Sequence, residues 1–106
     1  FGYASSSSGY GIKKETDVNE GMTLEPLTDY SKFKAECEKI LLDYQSPNFS
    51  TVIVRPATVC GYSPRQRLDV IVNIFTNLAY NKREMSIFGG EQLRPNIHIS
   101  DMFDSY

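Results

Sequence analysis

The sequence predicts an α/β protein built on parallel strands. Two observations carry this. A helical pattern over TDYSKFKAECEKILLDY is followed after a few residues by TVIVRPATV, whose density of β-branched residues argues a buried strand. A second helical pattern then follows, giving the alternation of elements expected of a layered sheet. At 106 residues, with 41% hydrophobic and 12% aromatic side chains, the chain is one domain's worth of polypeptide with a modest core.

In chain order, FGYA reads as the end of a buried strand, and the serine run with Gly9, Tyr10 and Gly11 as a loop. Residues 12–26 are polar, carry Gly21 and Pro26, and read as an exposed excursion. Thr28 or Asp29 is suited to cap the first helix, whose stripe of Tyr30, Phe33, Cys37, Leu41 and Tyr44 at helical spacing should face the core. The strand over residues 51–59 should end or be edged at Pro56, which lacks a ladder N–H. After a turn at Gly61–Pro64, a helix is expected over residues 68–80, with Leu68, Ile71, Val72, Phe75, Leu78 and Ala79 inward. A short strand at 86–88, a turn at Gly89–Gly90, a strand at NIHI and a last helix capped by Ser100 or Asp101 complete the reading.

The net charge of −2 offers no basic field for nucleic acid or anionic membrane. No stretch approaches the roughly 18 apolar residues of a membrane span, and the opening residues lack the features of a signal peptide. The chain begins FGYA rather than with methionine, so it is expected to be a piece of a longer protein. Cys37 and Cys60 show neither metal-ligand spacing nor a disulfide pattern; both are expected as small buried hydrophobes in a reduced, cytoplasmic protein. No set of His, Cys and carboxylates fits a metal, and no GxGxxG or GxxxxGK[ST] phosphate loop occurs.

Lys34 lies four positions after Tyr30, so a helix stacks them one turn apart. A phenol beside an ammonium suits proton abstraction from an alcohol, because the positive charge favours the phenolate. Packing in a core stripe is the plainer role for the same spacing. The serine run offers hydroxyls and backbone N–H groups at the end of a strand, where open α/β sheets bind ligands. Arg55, Arg65, Arg67 and Arg94 carry guanidinium groups that can clasp phosphate, or can simply form surface pairs. His98, between two isoleucines, is expected to be structural, and Asp101 a helix cap.

Taken in order, YASSSSGYG, YSKFK with Glu38, VIVRPATVCGYSPRQRLD and FGGEQLRPNIHISDM resemble the second half of an extended short-chain dehydrogenase/reductase. More narrowly, they resemble the NAD-dependent epimerase/dehydratase family acting on nucleotide-sugars. The resemblance implies an α/β fold of the Rossmann type, doubly wound and mostly parallel, present here as a fragment with part of the smaller substrate region. Residues of about 1–60 would be the catalytic part and about 61–106 the substrate side. The family's glycine-rich phosphate loop would lie N-terminal to this segment.

The resemblance further implies Tyr30 as acid/base, Lys34 as its ammonium and as a partner of the nicotinamide ribose, and Ser6 as the hydroxyl that positions the reacting oxygen, with Ser5 and Ser7 as its neighbouring alternatives. Ala4, Ser5, Tyr30, Lys34, Pro56, Ala57 and Val59 would line the cofactor, and Ser6, Ser7, Thr58 and Arg94 the substrate, Arg94 at its diphosphate. NAD is the implied cofactor, with NADP as the alternative, a nucleotide-sugar the implied substrate and a homodimer the implied assembly. Ser7 and Ser8 stand where the family's 4,6-dehydratases carry an acidic pair, Thr58 and Cys60 where many epimerases carry Asn and Tyr, and Phe33 at a helix position usually small. The implied activity is hydride transfer at a sugar carbinol carbon, as an epimerase or a related reductase or dehydratase. A protein of the same fold that only binds a dinucleotide is the alternative from outside enzymology.

Overall fold

The computed structural model describes residues 1–106, in two compact units, Phe1–Ala57 and Thr58–Tyr106. In the first, β1 (Gly2–Ala4) pairs in parallel with β2 (Val52–Val54), Tyr3 opposite Ile53. Parallel neighbours need a crossover, and α1 (Asp29–Asp43) supplies it. Thr28 caps α1 in a reciprocal capping box: the Ser31 N–H donates to Thr28 Oγ1 at 3.2 Å, and the Thr28 N–H to Ser31 Oγ at 3.1 Å.

The buried face of α1 differs from the expected one. Ser31, Ala35 and Glu38 are buried, whereas Tyr30, Phe33, Ile40 and Tyr44 are exposed. At ~100° per residue, Phe33, Cys37, Ile40 and Tyr44 fall on the side of the helix opposite Ser31, Ala35 and Glu38. The apolar stripe therefore exists but faces away from this chain's own core. Cys37 is exposed and Cys60 half-buried, so neither is the buried hydrophobe expected.

The serine run is more ordered than a loop: Ser7–Tyr10 form a 3-10 turn capped by Ser6, with Gly9 and Tyr10 buried. Residues 12–26 contain no helix or strand. The strand expected over 51–59 is two strands, β2 and β3 (Thr58–Cys60), because Pro56 interrupts the ladder between them. Nor are the strands fully buried, since Val52, Gly2 and Ala4 are exposed.

In the second unit, β3 pairs in parallel with β4 (Asn96–His98), Val59 opposite Ile97. Between them runs α2 (Ile71–Lys82), which starts three residues later than expected, without a side-chain cap, and leaves Leu68 outside the helix. It ends at Arg83 in the left-handed region, φ 54°, whose N–H donates to Ala79 O. Residues 86–88 form no strand; Gly89 and Gly90 take positive φ in the bend that follows. The last helix, α3 (Ile99–Asp104), is capped by His98 instead of Ser100 or Asp101: His98 Nδ1 accepts from the Ser100 N–H at 3.3 Å. The imidazole thus fills the acceptor role that a short polar side chain usually fills. No helix is long and apolar enough to cross a membrane.

Candidate active site

The first unit draws Ala4, Tyr3, Tyr30 and Lys34 together. Lys34 Nζ donates to the carbonyl of Ala4, at the end of β1, at 2.7 Å. That bond uses one of three ammonium donors and leaves two for other acceptors. The same Nζ lies 5.1 Å from the centre of the Tyr3 ring and 5.8 Å from that of Tyr30, within reach of a cation–π attraction to both.

Two phenols thus flank one ammonium, and their environments differ. Burial pushes the Tyr3 phenol up to about 12, and a hydrogen bond with Cys37 and the charge of Glu38 add to the rise. Tyr3 therefore stays protonated near neutral pH. Tyr30, in the first turn of α1, is 59% exposed and open to a ligand.

Ser6 accepts the Ser8 N–H at 3.2 Å and shares a proton with Ser8 Oγ at 2.8 Å. Ser7 donates its N–H to Pro56 O at 3.0 Å, fastening the serine turn to the segment after β2. Ala57 follows Pro56, half-buried. Ser5 is buried, donates its N–H to Val54 O at 2.8 Å and its hydroxyl to Glu38.

Reasoning from the sequence left Glu38 without a role. Its carboxylate, 3% exposed, is clasped by Arg55: Nε donates to both oxygens at 3.0 and 3.1 Å, and Nη2 to Oε2 at 2.6 Å. Arg55 Nη1 donates to the Tyr10 hydroxyl at 2.9 Å, with the Tyr10 ring 5.2 Å from Cζ. Burial alone pushes the Glu38 carboxyl up, but the hydrogen bonds from Arg55 and Ser5 and the Arg55 charge outweigh it, and the group sits below its ordinary value. Arg55, raised chiefly by its bonds to Glu38, is permanently charged. It is therefore not a phosphate clasp. The sequence held a signal for this pair, a charged residue embedded in the apolar run VIVRPATV, which requires a partner when folded.

In the second unit, Thr58 and Val59 lie on β3, and Thr58 donates its N–H to Pro95 O at 3.2 Å. Arg94 precedes β4, its carbonyl accepting from Asn96 Nδ2 at 3.0 Å. Since Thr58 pairs with Asn96, Arg94 and Thr58 sit at the same end of the β3–β4 pair. Arg67 forms a two-pronged pair with Asp69 at 3.0 and 2.6 Å. At the other end of β3, a cleft of about 180 Å³ is lined by Gly61, Tyr62, Arg65, Asn73 and Ile99 among others. No group of three or more His, Cys, Asp and Glu is placed to hold a metal ion.

A nicotinamide cofactor is compatible with the first unit. Lys34 keeps two donors for ribose hydroxyls, and the Ala4–Ser8 stretch lies at the C-terminal end of a parallel strand, the end at which open α/β sheets receive ligands.

Residues 1–106 match the NAD dependent epimerase/dehydratase family. The chain is similar, at 26% identity and a TM-score of 0.85, to the UDP-N-acetylglucosamine 4-epimerase from Methanobrevibacter ruminantium M1 in complex with UDP-N-acetylmuramic acid, covering 98% of this chain and 35% of that one. It is also 25% identical over 88 residues to the 4-hydroxy-2-methyl-3-oxo-4-farnesyl-3,4-dihydroquinoline-1-oxide ketoreductase of Stigmatella aurantiaca, covering 83% of this chain and 25% of that protein. The chain thus spans a quarter to a third of the length of these relatives and corresponds to part of a Rossmann-type α/β fold. With every residue from 1 to 106 inside the family match and the parallel strands superposing on an epimerase, the chain belongs to the NAD dependent epimerase/dehydratase family.

Proposed function

We propose that the intact protein is an NAD(P)-dependent nucleotide-sugar epimerase, in which Tyr30 moves the proton of a sugar hydroxyl. One observation carries the reading: a single ammonium, Lys34, is anchored on Ala4 O beside an exposed Tyr30, while the other phenol in reach, Tyr3, is held protonated. The cofactor, when bound, supplies a hydride acceptor and donor. Tyr30 takes the hydroxyl proton as the carbinol carbon is oxidised and returns it on reduction. Lys34 keeps a positive charge near the phenol ring as negative charge develops there, and its remaining donors hold the ribose. Ser6, with Ser5 and Ser7 beside it, hydrogen-bonds the reacting oxygen and fixes its direction.

Ala4, Ser5, Pro56, Ala57 and Val59 line the cofactor, and Ser7, Thr58 and Arg94 the substrate, Arg94 pairing with the diphosphate. Residues of about 1–60 then form the catalytic part and about 61–106 the substrate side. The exposed Phe33, Ile40 and Tyr44 of α1 support a homodimer paired through this helix, since a contiguous apolar face calls for cover. Two free thiols fit a reducing cytoplasm. The likeness to a ketoreductase favours a second reading, in which the same Tyr and Lys serve a net reduction.

The test is to incubate the full-length protein with NAD and a panel of nucleotide-sugars, following epimers and reduced-cofactor absorbance. New epimers without net NADH, lost in Tyr30→Phe and kept in Tyr3→Phe, are expected. Accumulating NADH, or consumption of added NADH with a keto sugar, moves the assignment to the oxidoreductase reading. Turnover that survives Tyr30→Phe refutes the role given to Tyr30.

A further inference from the structure

We infer that Ser5, Glu38, Arg55 and Tyr10 form a positioning network that sets the serine turn against the helix carrying Tyr30 and Lys34; as a statement about catalysis, this rests on the function proposed above. Four segments meet around one carboxylate–guanidinium pair: α1 carries Glu38, the end of β1 reaches its carboxylate through Ser5, the stretch after β2 carries Arg55, and the 3-10 turn reaches that guanidinium through Tyr10. Three of the four, Ser5, Glu38 and Arg55, are tied to a candidate active-site residue at short range. Ser5 precedes Ser6, Glu38 lies one helical turn after Lys34, and Arg55 precedes Pro56, whose carbonyl holds the Ser7 N–H.

The chemistry of the pair explains why these residue types stand there. Burying a carboxylate and a guanidinium is a poor route to stability, because apolar side chains of similar volume do as well or better. A guanidinium instead supplies direction: its planar fork fixes the carboxylate in the plane of two parallel bonds. Glu38 Oε1 accepts both from Arg55 Nε and from the Ser5 hydroxyl, so the fork fixes where Ser5 points. None of the four needs to touch substrate for this role.

Hydride and proton transfer are sensitive to such placement, and a misplacement of about 1 Å can lower turnover by about 100-fold. The test uses the full-length protein with NAD and UDP-N-acetylglucosamine, and compares Glu38→Ala, Glu38→Gln and the double variant Glu38→Leu/Arg55→Met. Glutamine keeps the shape and one acceptor oxygen but turns an amide NH2 donor toward the Arg55 fork; the double variant removes the ion pair as a whole and leaves no charge buried alone.

In Glu38→Ala and the double variant, amide exchange at residues 5–9 should rise about tenfold or more. Their kcat should fall roughly 10- to 100-fold with an unchanged KM for the sugar. Glu38→Gln, which keeps an acceptor for Ser5 but loses one arm of the fork, should fall between wild type and Glu38→Ala in both readouts. A folded double variant with wild-type exchange and kcat overturns the inference, as does a Glu38→Ala protein that matches wild type in both readouts. If the wild-type protein turns over no nucleotide-sugar, the proposed function fails by itself, and amide exchange alone decides whether the network orders the serine turn.

Discussion

Replacing Arg55 by alanine puts a number on the buried pair. The change removes three hydrogen bonds from Glu38 and one from Tyr10, and leaves a 3%-exposed carboxylate with Ser5 as its remaining polar partner. Stranding a buried ion in this way costs about 3–5 kcal/mol. A ceiling comes from protonation: neutralising a glutamate of ordinary pKa, about 4.3, at pH 7 costs about 1.36 × 2.7, or about 3.7 kcal/mol. The two routes meet at about 3–4 kcal/mol, a large part of the roughly 5–15 kcal/mol that holds a domain folded.

The pH dependence carries the sign. In the native protein the Glu38 carboxyl is lowered, so its contribution is complete above the unfolded value of about 4.3 and is lost as pH falls through the lower folded value. Stability from this group is therefore flat between pH 7 and 5.5. In Arg55→Ala, burial is left without its counterweight and the carboxyl rises, so stability increases as pH falls through that window. The protonation ceiling drops to about 1.36 × 1.2, or about 1.6 kcal/mol, at pH 5.5, so the variant should regain about 2 kcal/mol. Urea unfolding of both proteins at pH 7 and 5.5, followed by circular dichroism, reads this directly. A variant within about 1 kcal/mol of wild type at pH 7, or one equally destabilised at both pH values, refutes the account.

Three further outcomes are expected. Thr28→Ala removes the capping box and should lower stability by about 1 kcal/mol in the same urea assay. Gly61→Ala places a Cβ 2.8 Å from Ile99 Cγ2 and 2.9 Å from His98 Nε2 at φ 120°, so the cost of opening the second unit should fall by about 1–3 kcal/mol and proteolysis there should accelerate. Phe33→Glu sets a charge on the exposed face of α1, and sedimentation should show the full-length protein shifting from dimer to monomer without loss of helix content.

Local signals were legible in the sequence to the extent that their partners lie nearby. Thr28 announces α1 because a cap bonds within its own first turn, and Tyr30 and Lys34 fall near one another by helical pitch alone. The apolar stripe was legible as a pattern but not in its direction: Ser31 and Ala35 are small enough to let the helix approach, and Glu38 is drawn inward by Arg55, 17 residues away. The same separation hid the Ser5 contact, 33 residues from Glu38. Residues 86–88 have strand composition but find no partner strand, and composition alone does not make a ladder. His98 was legible as structural, though not as a cap, because its acceptor nitrogen substitutes for a hydroxyl only when the tautomer leaves it free.

Thr28 has a bearing on timing as well as on folding. Tyr30 is the second residue of α1, and the first turn of any helix opens more often than the rest because its N–H groups lack partners within the helix. In the role proposed for Tyr30, a proton-transfer group mounted there works only while that turn is closed, and the Thr28–Ser31 pair acts as its latch. Weakening the latch by about 1 kcal/mol multiplies the open fraction about fivefold. So long as the open state stays rare, turnover hardly notices; once the two states become comparable, the rate falls with the fraction of time the latch is shut, through a threonine that touches neither phenol nor sugar.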